Sequence, residues 1–208
     1  MIRRRRLALL VALAASPVAA TEDQFPALYD VQHVASIDVL NLREYPNASA
    51  PVIAALAPDA HDIEVVEAGP NGRWGRVNIN GVSGWASLRY LRRHPDAGIS
   101  RVPDIARCGG TEPFWGLRRS GTGYVFDAPE IDETRFTRDW RGTALGRSDR
   151  FAMTLHSQRA SIGEGVAVIA RASCSDGMSG YLFGLTIDLF LNGTSGETLY
   201  SGCCSLQP

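Results

Sequence analysis

All four cysteines of this 208-residue chain fall in its second half, at Cys108, Cys174, Cys203 and Cys204. The first half must therefore fold without a covalent staple, while the second carries an even number of thiols. Small exported domains with limited cores commonly use cysteines as a disulfide framework. Four thiols allow three pairings. Bridging adjacent Cys203 and Cys204 closes a small strained ring and is disfavoured by geometry. Cys108 and Cys174 then each take one of the last two, in either combination. Cys174–Cys203 is slightly preferred, because both residues flank strands near the end of the sheet. A single bridge with two thiols left for metal or redox work is the alternative.

The chain opens as an exported protein does. Arg3 to Arg6 form a positive region, Leu7 to Ala15 a short apolar run, and Ser16 to Ala20 a stretch of small residues suited to cleavage. This is the signal-peptide pattern, assigned to residues 1–20, and the apolar run is too short to span a bilayer as a helix. The expected location is periplasmic or secreted. Cleavage takes four arginines from 21 basic residues, leaving 17 against 22 acids, a net charge of −5. Every basic residue is Arg. A net acidic chain without a basic cluster argues against nucleic acid as a partner. No later apolar stretch reaches transmembrane length, so no stable membrane span is expected after cleavage. The sequence does not fix the oligomeric state.

The segment from His94 to Pro103 is polar, holds two prolines and a glycine, and marks a linker placed at residues 94–106. On either side, short alternating apolar runs end in turn residues, including Asn71-Gly72, Asn80-Gly81 and Asn192-Gly193. Asn-Gly suits type I′ hairpin turns, since both residues tolerate positive φ. The reading is all-β, with domains at residues 25–93 and 107–208. Strands are expected at Leu28–Val34, Val39–Leu42, Val52–Leu56, Ile63–Glu67, Arg73–Ile79 and Val82–Ser87. The second domain adds Phe114–Arg119, Tyr124–Asp127, Phe151–His156, Val166–Ala172, Tyr181–Leu191 and Thr198–Cys203. The charged stretch from Asp132 to Asp149 reads either as a long loop or as an exposed hairpin.

In the first domain, Leu40-Asn41-Leu42-Arg43, Pro46, Val52-Ile53, Leu56 and Arg73-Trp74-Gly75-Arg76-Val77 precede Asn80-Gly81-Val82-Ser83-Gly84-Trp85 and Leu88-Arg89-Tyr90-Leu91. This pattern, from about Leu28 to Leu91, resembles the bacterial SH3 (SH3b) family. The resemblance implies a small, strongly bent SH3-like barrel that contacts peptide or peptidoglycan in the bacterial envelope. Glycines at corners and large side chains inside fit such a barrel. Leu42, Val52, Leu56, Val65, Val77 and Trp85 are the core candidates, and Arg43, Tyr45, Trp74 and Tyr90 the groove candidates. Tyr45 stands where the family usually has Gly, so a phenol ring would reshape or fill the groove. Trp74 as a packing residue and Arg43 as a loop-bracing donor are the structural alternatives.

The second domain carries Cys108-Gly109-Gly110-Thr111-Glu112-Pro113-Phe114-Trp115, then Cys174-Ser175-Asp176-Gly177-Met178-Ser179, then Gly202-Cys203-Cys204. These segments resemble an uncharacterised family of bacterial envelope proteins, a resemblance that implies a location but no reaction. Glu112 and Asp176 each lie in a glycine-containing motif beside a cysteine. Facing one cleft with Trp115, they would suit a cationic ligand, a sugar or acid/base chemistry. The competing reading is that both carboxylates accept backbone hydrogen bonds and hold turns.

Enzyme signatures are weak. His33, His61, His94 and His156 lack zinc-ligand spacing, and no Gly-x-Ser-x-Gly elbow or phosphate-cradling loop occurs. Cys108 followed by His156 has the order of one cell-wall cysteine peptidase family, without its Asp-Cys-Ser context. The expected protein is a non-catalytic envelope component with no cofactor, whose partners are peptidoglycan or envelope proteins. The alternatives are a thiol-dependent cell-wall hydrolase using Cys108 and His156, or a periplasmic metal- or haem-binding protein.

Overall fold

The computed structural model of the protein describes residues 24–95, 102–129, 131–194 and 196–207. The expected signal segment 1–20 and the middle of the expected linker lie outside these residues. The first sheet contains β1 (Ala27–Val31), β2 (Leu40–Arg43), β3 (Val52–Leu56), β4 (Ile63–Ala68), β5 (Trp74–Ile79), β6 (Val82–Ser87) and β7 (Leu91–Arg93). A single 3₁₀ turn, Leu88–Tyr90, joins the last two. The seven strands lie in the order β3-β2-β6-β5-β4-β1-β7. Leu56 on one edge and Leu91 on the other belong to one core with Tyr29, Leu42, Val65 and Val77, so the sheet is curled around that core.

Period-two alternation sets which side chains reach that core. In β1 the buried residues are Ala27, Tyr29 and Val31, as expected for a strand with one packed face. The strand ends at Val31, short of the expected Val34, and His33 beyond it adopts φ 58°. Asn80 and Gly81 both have positive φ, 49° and 84°, so the β5–β6 hairpin closes in the type I′ geometry that Asn-Gly favours. The other two Asn-Gly pairs behave differently. At the first, only Gly72 has positive φ; at the second, Asn192 and Gly193 remain in the strand ladder, opposite Glu197 and Gly196.

Two of the six core candidates do not lie in the core. Val52 is 51 % exposed on the edge strand β3. Trp85 lies between Gly84 and Ala86, which are buried, so alternation turns its indole to the opposite face. There it packs near Gly69 and Pro46 and under the Arg76 guanidinium, 5.6 Å from the ring centre.

The second sheet contains β8 (Arg107–Thr111), β9 (Phe114–Ser120), β10 (Gly123–Ala128), β11 (Ile131–Thr143), β12 (Arg150–His156), β13 (Glu164–Cys174), β14 (Phe183–Gly193) and β15 (Gly196–Ser205). Each strand pairs antiparallel with its sequence neighbour, and β15 returns to pair with β8, closing an eight-stranded barrel. The charged stretch after Asp132 is therefore strand through Thr143. It reads as polar because only Thr134 and Phe136 of β11 are buried. Leu117, Phe126, Phe151, Leu155, Ile169, Leu185, Ile187 and Leu189 are at most 2 % exposed and fill the interior. Full burial of one such side chain contributes roughly 1.5–3 kcal/mol.

Both disulfides form: Cys108–Cys204 and Cys174–Cys203, with Cα separations of 4.0 and 5.6 Å. Adjacent strand residues point to opposite faces, so Cys204 and Cys203 staple in different directions. Cys204 faces Cys108 directly across the β15–β8 ladder. Cys203 instead reaches past β14 to the end of β13. Trp115 reinforces the same closure from β9. Its indole Nε1 donates to the Ser201 carbonyl at 3.2 Å, and the ring stacks near Phe126 and Tyr200. Gly110 and Gly202 leave the room it occupies. A Cβ at Gly202 would lie 2.1 Å from the Gly109 carbonyl and 3.0 Å from the indole.

Residues expected to be linker contribute to this core. Ile105 and Ala106 are 1 % and 5 % exposed, and Val102 and Ile105 pack on the barrel interior. The two sheets also meet directly. In β4, Ile63 and Val65 face their own core, so Glu64 and Val66 must face the barrel, and all four are buried. The Glu64 carboxylate accepts from the Ser205 hydroxyl, Asn78 Nδ2 donates to the Leu182 carbonyl at 2.7 Å, and the Gly81 N–H donates to the Tyr181 hydroxyl at 2.9 Å. Arg171 donates to the Pro26 carbonyl at 3.1 Å, and burial, with Arg93 nearby, lowers its pKa to about 10.

Two expectations follow. Cys108–Cys204 spans 96 residues and Cys174–Cys203 spans 29. In the chain-entropy model these loops correspond to about 4.7 and about 3.6 kcal/mol. Urea unfolding should show C108A/C204A to be less stable than C174A/C203A by about 1 kcal/mol. Burial pushes the Glu64 carboxyl above the usual range, outweighing its bonds from Ser205 and from the backbone N–H groups of Leu206 and Gln207. A raised carboxyl favours the fold below the ordinary carboxylate range and loses that contribution as pH rises through the raised value. Stability measured from about pH 4 upward should therefore fall less with pH in Glu64→Gln than in the wild type.

Candidate functional site

A concavity of about 840 Å³ opens on the first sheet. Its walls come from the connection before β2, β2 itself, the 44–51 loop, the start of β5 and the 3₁₀ turn. Arg43, Trp74 and Tyr90 line it; Tyr45, on the same loop as Pro46 and Asn47, is 56 % exposed and lies outside the lining.

Local bonding explains how each wall is held. Arg43 Nη1 donates to the Ala50 carbonyl at 2.7 Å, bracing the loop from its base. The Asn47 side chain accepts from the Ser49 N–H and hydroxyl at 3.0 and 2.9 Å, and the Glu44 N–H bonds to the Pro51 carbonyl. Short polar side chains commonly hold turns in this way. On the opposite wall, the Trp74 carbonyl accepts from the Gly69 N–H at 2.8 Å, and the Arg73 N–H donates to the Asn71 side chain at 3.0 Å. The Arg89 guanidinium lies 4.3 Å from the centre of the Tyr90 ring and also contacts its hydroxyl.

The lining therefore has aromatic faces, amide groups at Asn41, Asn47 and Asn71, and three guanidinium groups at Arg43, Arg73 and Arg89 against one carboxylate, Asp38. Aromatic surface supplies apolar contact area, while Arg pairs with carboxylates in a planar fork. The lining can therefore offer apolar faces and guanidinium donors to a bound carboxylate. Arg73 and Arg89 are lining residues that the sequence reading left out. Each directly precedes a selected aromatic, in Arg73-Trp74 and Arg89-Tyr90, and that adjacency was the available signal.

Asp30 organises a separate cluster at the β1–β7 pair. His94 Nε2 lies 2.7 Å from its carboxylate, Arg92 Nη2 3.0 Å and His61 Nδ1 3.3 Å. The His94 hydrogen bond, with help from Arg92 and the Asp62 N–H, outweighs desolvation and holds the Asp30 carboxyl far below the usual range. Two of the four histidines that sequence spacing left isolated, His61 and His94, thus meet at one carboxylate. Among the described residues, no group of three or more His, Cys, Asp or Glu side chains is arranged to hold a metal ion.

In the barrel, the three polar candidates occupy different surroundings. Trp115 is 6 % exposed and belongs to the core. Glu112 is exposed, at a cis peptide bond to Pro113. The Asp176 carboxylate accepts from the Ser179 N–H at 2.9 Å, the Met178 N–H at 3.1 Å and the Ser179 hydroxyl at 2.7 Å. Partial burial raises its pKa, but these bonds outweigh it and the net shift is downward. Asp176 lines a cavity of about 210 Å³ with Thr111, Phe183 and the Cys203 edge, without Glu112 or Trp115. Cys108 is bonded to Cys204, which removes the thiolate that a Cys108–His156 pair requires, and His156 is exposed at the end of β12.

No curated protein and no solved structure matches the chain. The resemblance of residues 107–204 to an envelope family rests on its motifs alone. The match that exists covers 55 residues, about a quarter of the chain, and includes the loop-bracing Arg43, both groove aromatics and the strands from β2 to β6. Residues 38–92 match the family model of the bacterial SH3 domain, so the N-terminal half of this chain carries a bacterial SH3 domain.

Proposed function

We propose that this is an exported bacterial envelope protein of non-catalytic character, which contacts peptide or peptidoglycan through the groove of its SH3 domain. The observation that carries the reading is the groove itself. Trp74, Tyr90, Arg73 and Arg89 line one concavity of about 840 Å³ inside a recognised bacterial SH3 domain. Members of that family commonly bind cell-wall components. Two disulfides accord with residence outside the cytosol, where thiols oxidise and stay paired. No helix among the described residues is long and apolar enough to cross a membrane. In this reading the barrel is a second binding or structural unit, held against the SH3 domain by the Glu64–Ser205 and Asn78–Leu182 bonds.

The chemistry of recognition follows from the lining. Stem-peptide carboxylates would meet Arg73 and Arg89, and the peptide's apolar parts would lie on Trp74 and Tyr90. Anchors of this kind, aromatic and Arg together, carry most of the energy in protein recognition sites. Much of the attraction is exposed charge, so it weakens with salt.

Co-sedimentation of the full chain with purified cell-wall sacculi tests the proposal. The wild type should pellet with sacculi, and W74A/R89A should lose about tenfold or more in affinity. Circular dichroism should show the variant folded, with both disulfides retained. Raising the salt from about 0.05 to about 0.5 M should lower wild-type binding. Equal binding by the wild type and W74A/R89A would remove the groove from the interaction.

A further inference from the structure

We propose that the open end of the barrel is a second binding pocket, for a small carboxylate with an apolar body. A cavity of about 280 Å³ lies where the start of β11, the end of β14 and the start of β15 meet the β12–β13 connection. Ile162, Leu191 and Tyr200 form its floor and belong to the barrel core, and Ile131 packs against that core. Arg159, Asp132, Ser161 and Thr198 complete the lining. Apolar side chains below and a few polar groups above are the usual make-up of a small-molecule site, and barrel mouths are among the usual places for one. The volume corresponds to roughly nine water molecules, which restricts the occupant to a short ligand.

The polar groups specify the ligand's head. Tyr200 is 7 % exposed, its ring wedged 5.7 Å from Trp115 and 5.3 Å from Phe126. Its hydroxyl makes no hydrogen bond among the described residues. The other core tyrosine differs, since the Tyr124 hydroxyl donates to the Ile105 carbonyl at 3.4 Å. Tyr200 lines the cavity, so its hydroxyl is free to donate to an acceptor bound there. Burial raises the Tyr200 phenol pKa, which keeps it a donor at neutral pH. At the rim, Arg159 uses Nη1 alone on Asp132, at 3.3 Å from Oδ2 and 3.5 Å from the backbone carbonyl. A guanidinium has five N–H donors, so most of the fork remains for a ligand. Donors at Arg159, Tyr200, Ser161 and Thr198 thus outnumber the one lining carboxylate, Asp132, which is 88 % exposed. That balance selects an anionic acceptor, and a carboxylate matches the Arg fork.

The pocket is built into the fold. Its upper wall is the 3₁₀ turn Ala160–Ile162. That turn is tied down by the Ile162 N–H to the Arg159 carbonyl at 3.0 Å and by the Gly163 N–H to the Asn192 carbonyl at 3.0 Å. Gly193 lets the turn lie on the tip of β14, because a Cβ there would sit 2.2 Å from the Ser161 carbonyl. The contacts with the SH3 domain at Ser205, Arg171 and Leu182 lie toward the opposite ends of β15, β13 and β14, so the mouth stays clear. This site is independent of the SH3 groove.

Titration of the full chain with hexanoate, hexanol and hexylamine, followed by amide chemical shifts, provides the test. Hexanoate should produce saturable shifts confined to residues 159–162 and 196–200, and hexanol should bind about tenfold more weakly or worse. Hexylamine should produce none. Arg159→Gln should reduce hexanoate affinity to the level of hexanol. Tyr200→Phe, which keeps the ring in place, should lower hexanoate affinity about tenfold. Equal binding of hexanoate and hexanol overturns the carboxylate assignment. No saturable shift at the mouth with any of the three, or unchanged hexanoate affinity in both variants, overturns the pocket.

Discussion

The ladder between β15 and β8 is the pairing on which the second half of the molecule depends. Without it the eight strands would be an open meander with two long edges and no enclosed core. Three features converge on this seam: Cys108 opposite Cys204, the Trp115 indole bonded to the Ser201 carbonyl, and the two glycines that leave space for that ring. Each alone contributes a few kcal/mol at most. Together they act on the one pairing that local sequence cannot specify, since its partners lie nearly one hundred residues apart. Long loop closure is entropically expensive, and a covalent bond at that point limits the cost in the unfolded chain.

The SH3 domain and the barrel also differ in where their polar chemistry lies. The SH3 groove is a surface feature, walled by loops that short hydrogen bonds hold in shape, with its guanidinium groups close to solvent. The barrel sets Arg159, Asp132, Ser161 and Thr198 around one mouth, above the core side chains Ile162, Leu191 and Tyr200. Between them, β4 is buried on both faces, with the Glu64 carboxyl enclosed beside Ser205. An ionisable group in such a position makes the junction of the two units sensitive to protonation, while the outer surfaces are not bound by it.

Much of this architecture was legible in the sequence. Alternation located most strands, Asn80-Gly81 fixed one hairpin, and the Arg-Trp-Gly-Arg and Gly-Trp segments pointed to SH3. Where alternation failed, the cause was physical. Trp85 looks like a core residue by size, but its odd position beside Gly84 and Ala86 turns it outward. Ile105 looks like linker because prolines and charges surround it, yet it fills one end of the barrel. The strand β11 was hidden because its outward face is charged and only two of its residues reach the interior. Of the groove, the aromatics could be selected from sequence, but Tyr45 and Trp74 could not be told apart. Which of the two rings faces a concavity depends on loop shape, and Asn47 and Arg43 brace that loop only in three dimensions. The Asp30 cluster was invisible for the same reason, because His61 and His94 are brought together by strand pairing.

Closure has a further consequence for behaviour at high concentration. A sealed cylinder presents no unpaired backbone row, so the barrel offers no template for strand addition by a neighbouring copy. In the curled SH3 sheet the terminal strands β3 and β7 are five and three residues long, and β3 carries half-exposed Val52 and Ile53. Any tendency of the folded protein toward intermolecular β-association is thereby concentrated on one short apolar rim, within reach of a single charge substitution.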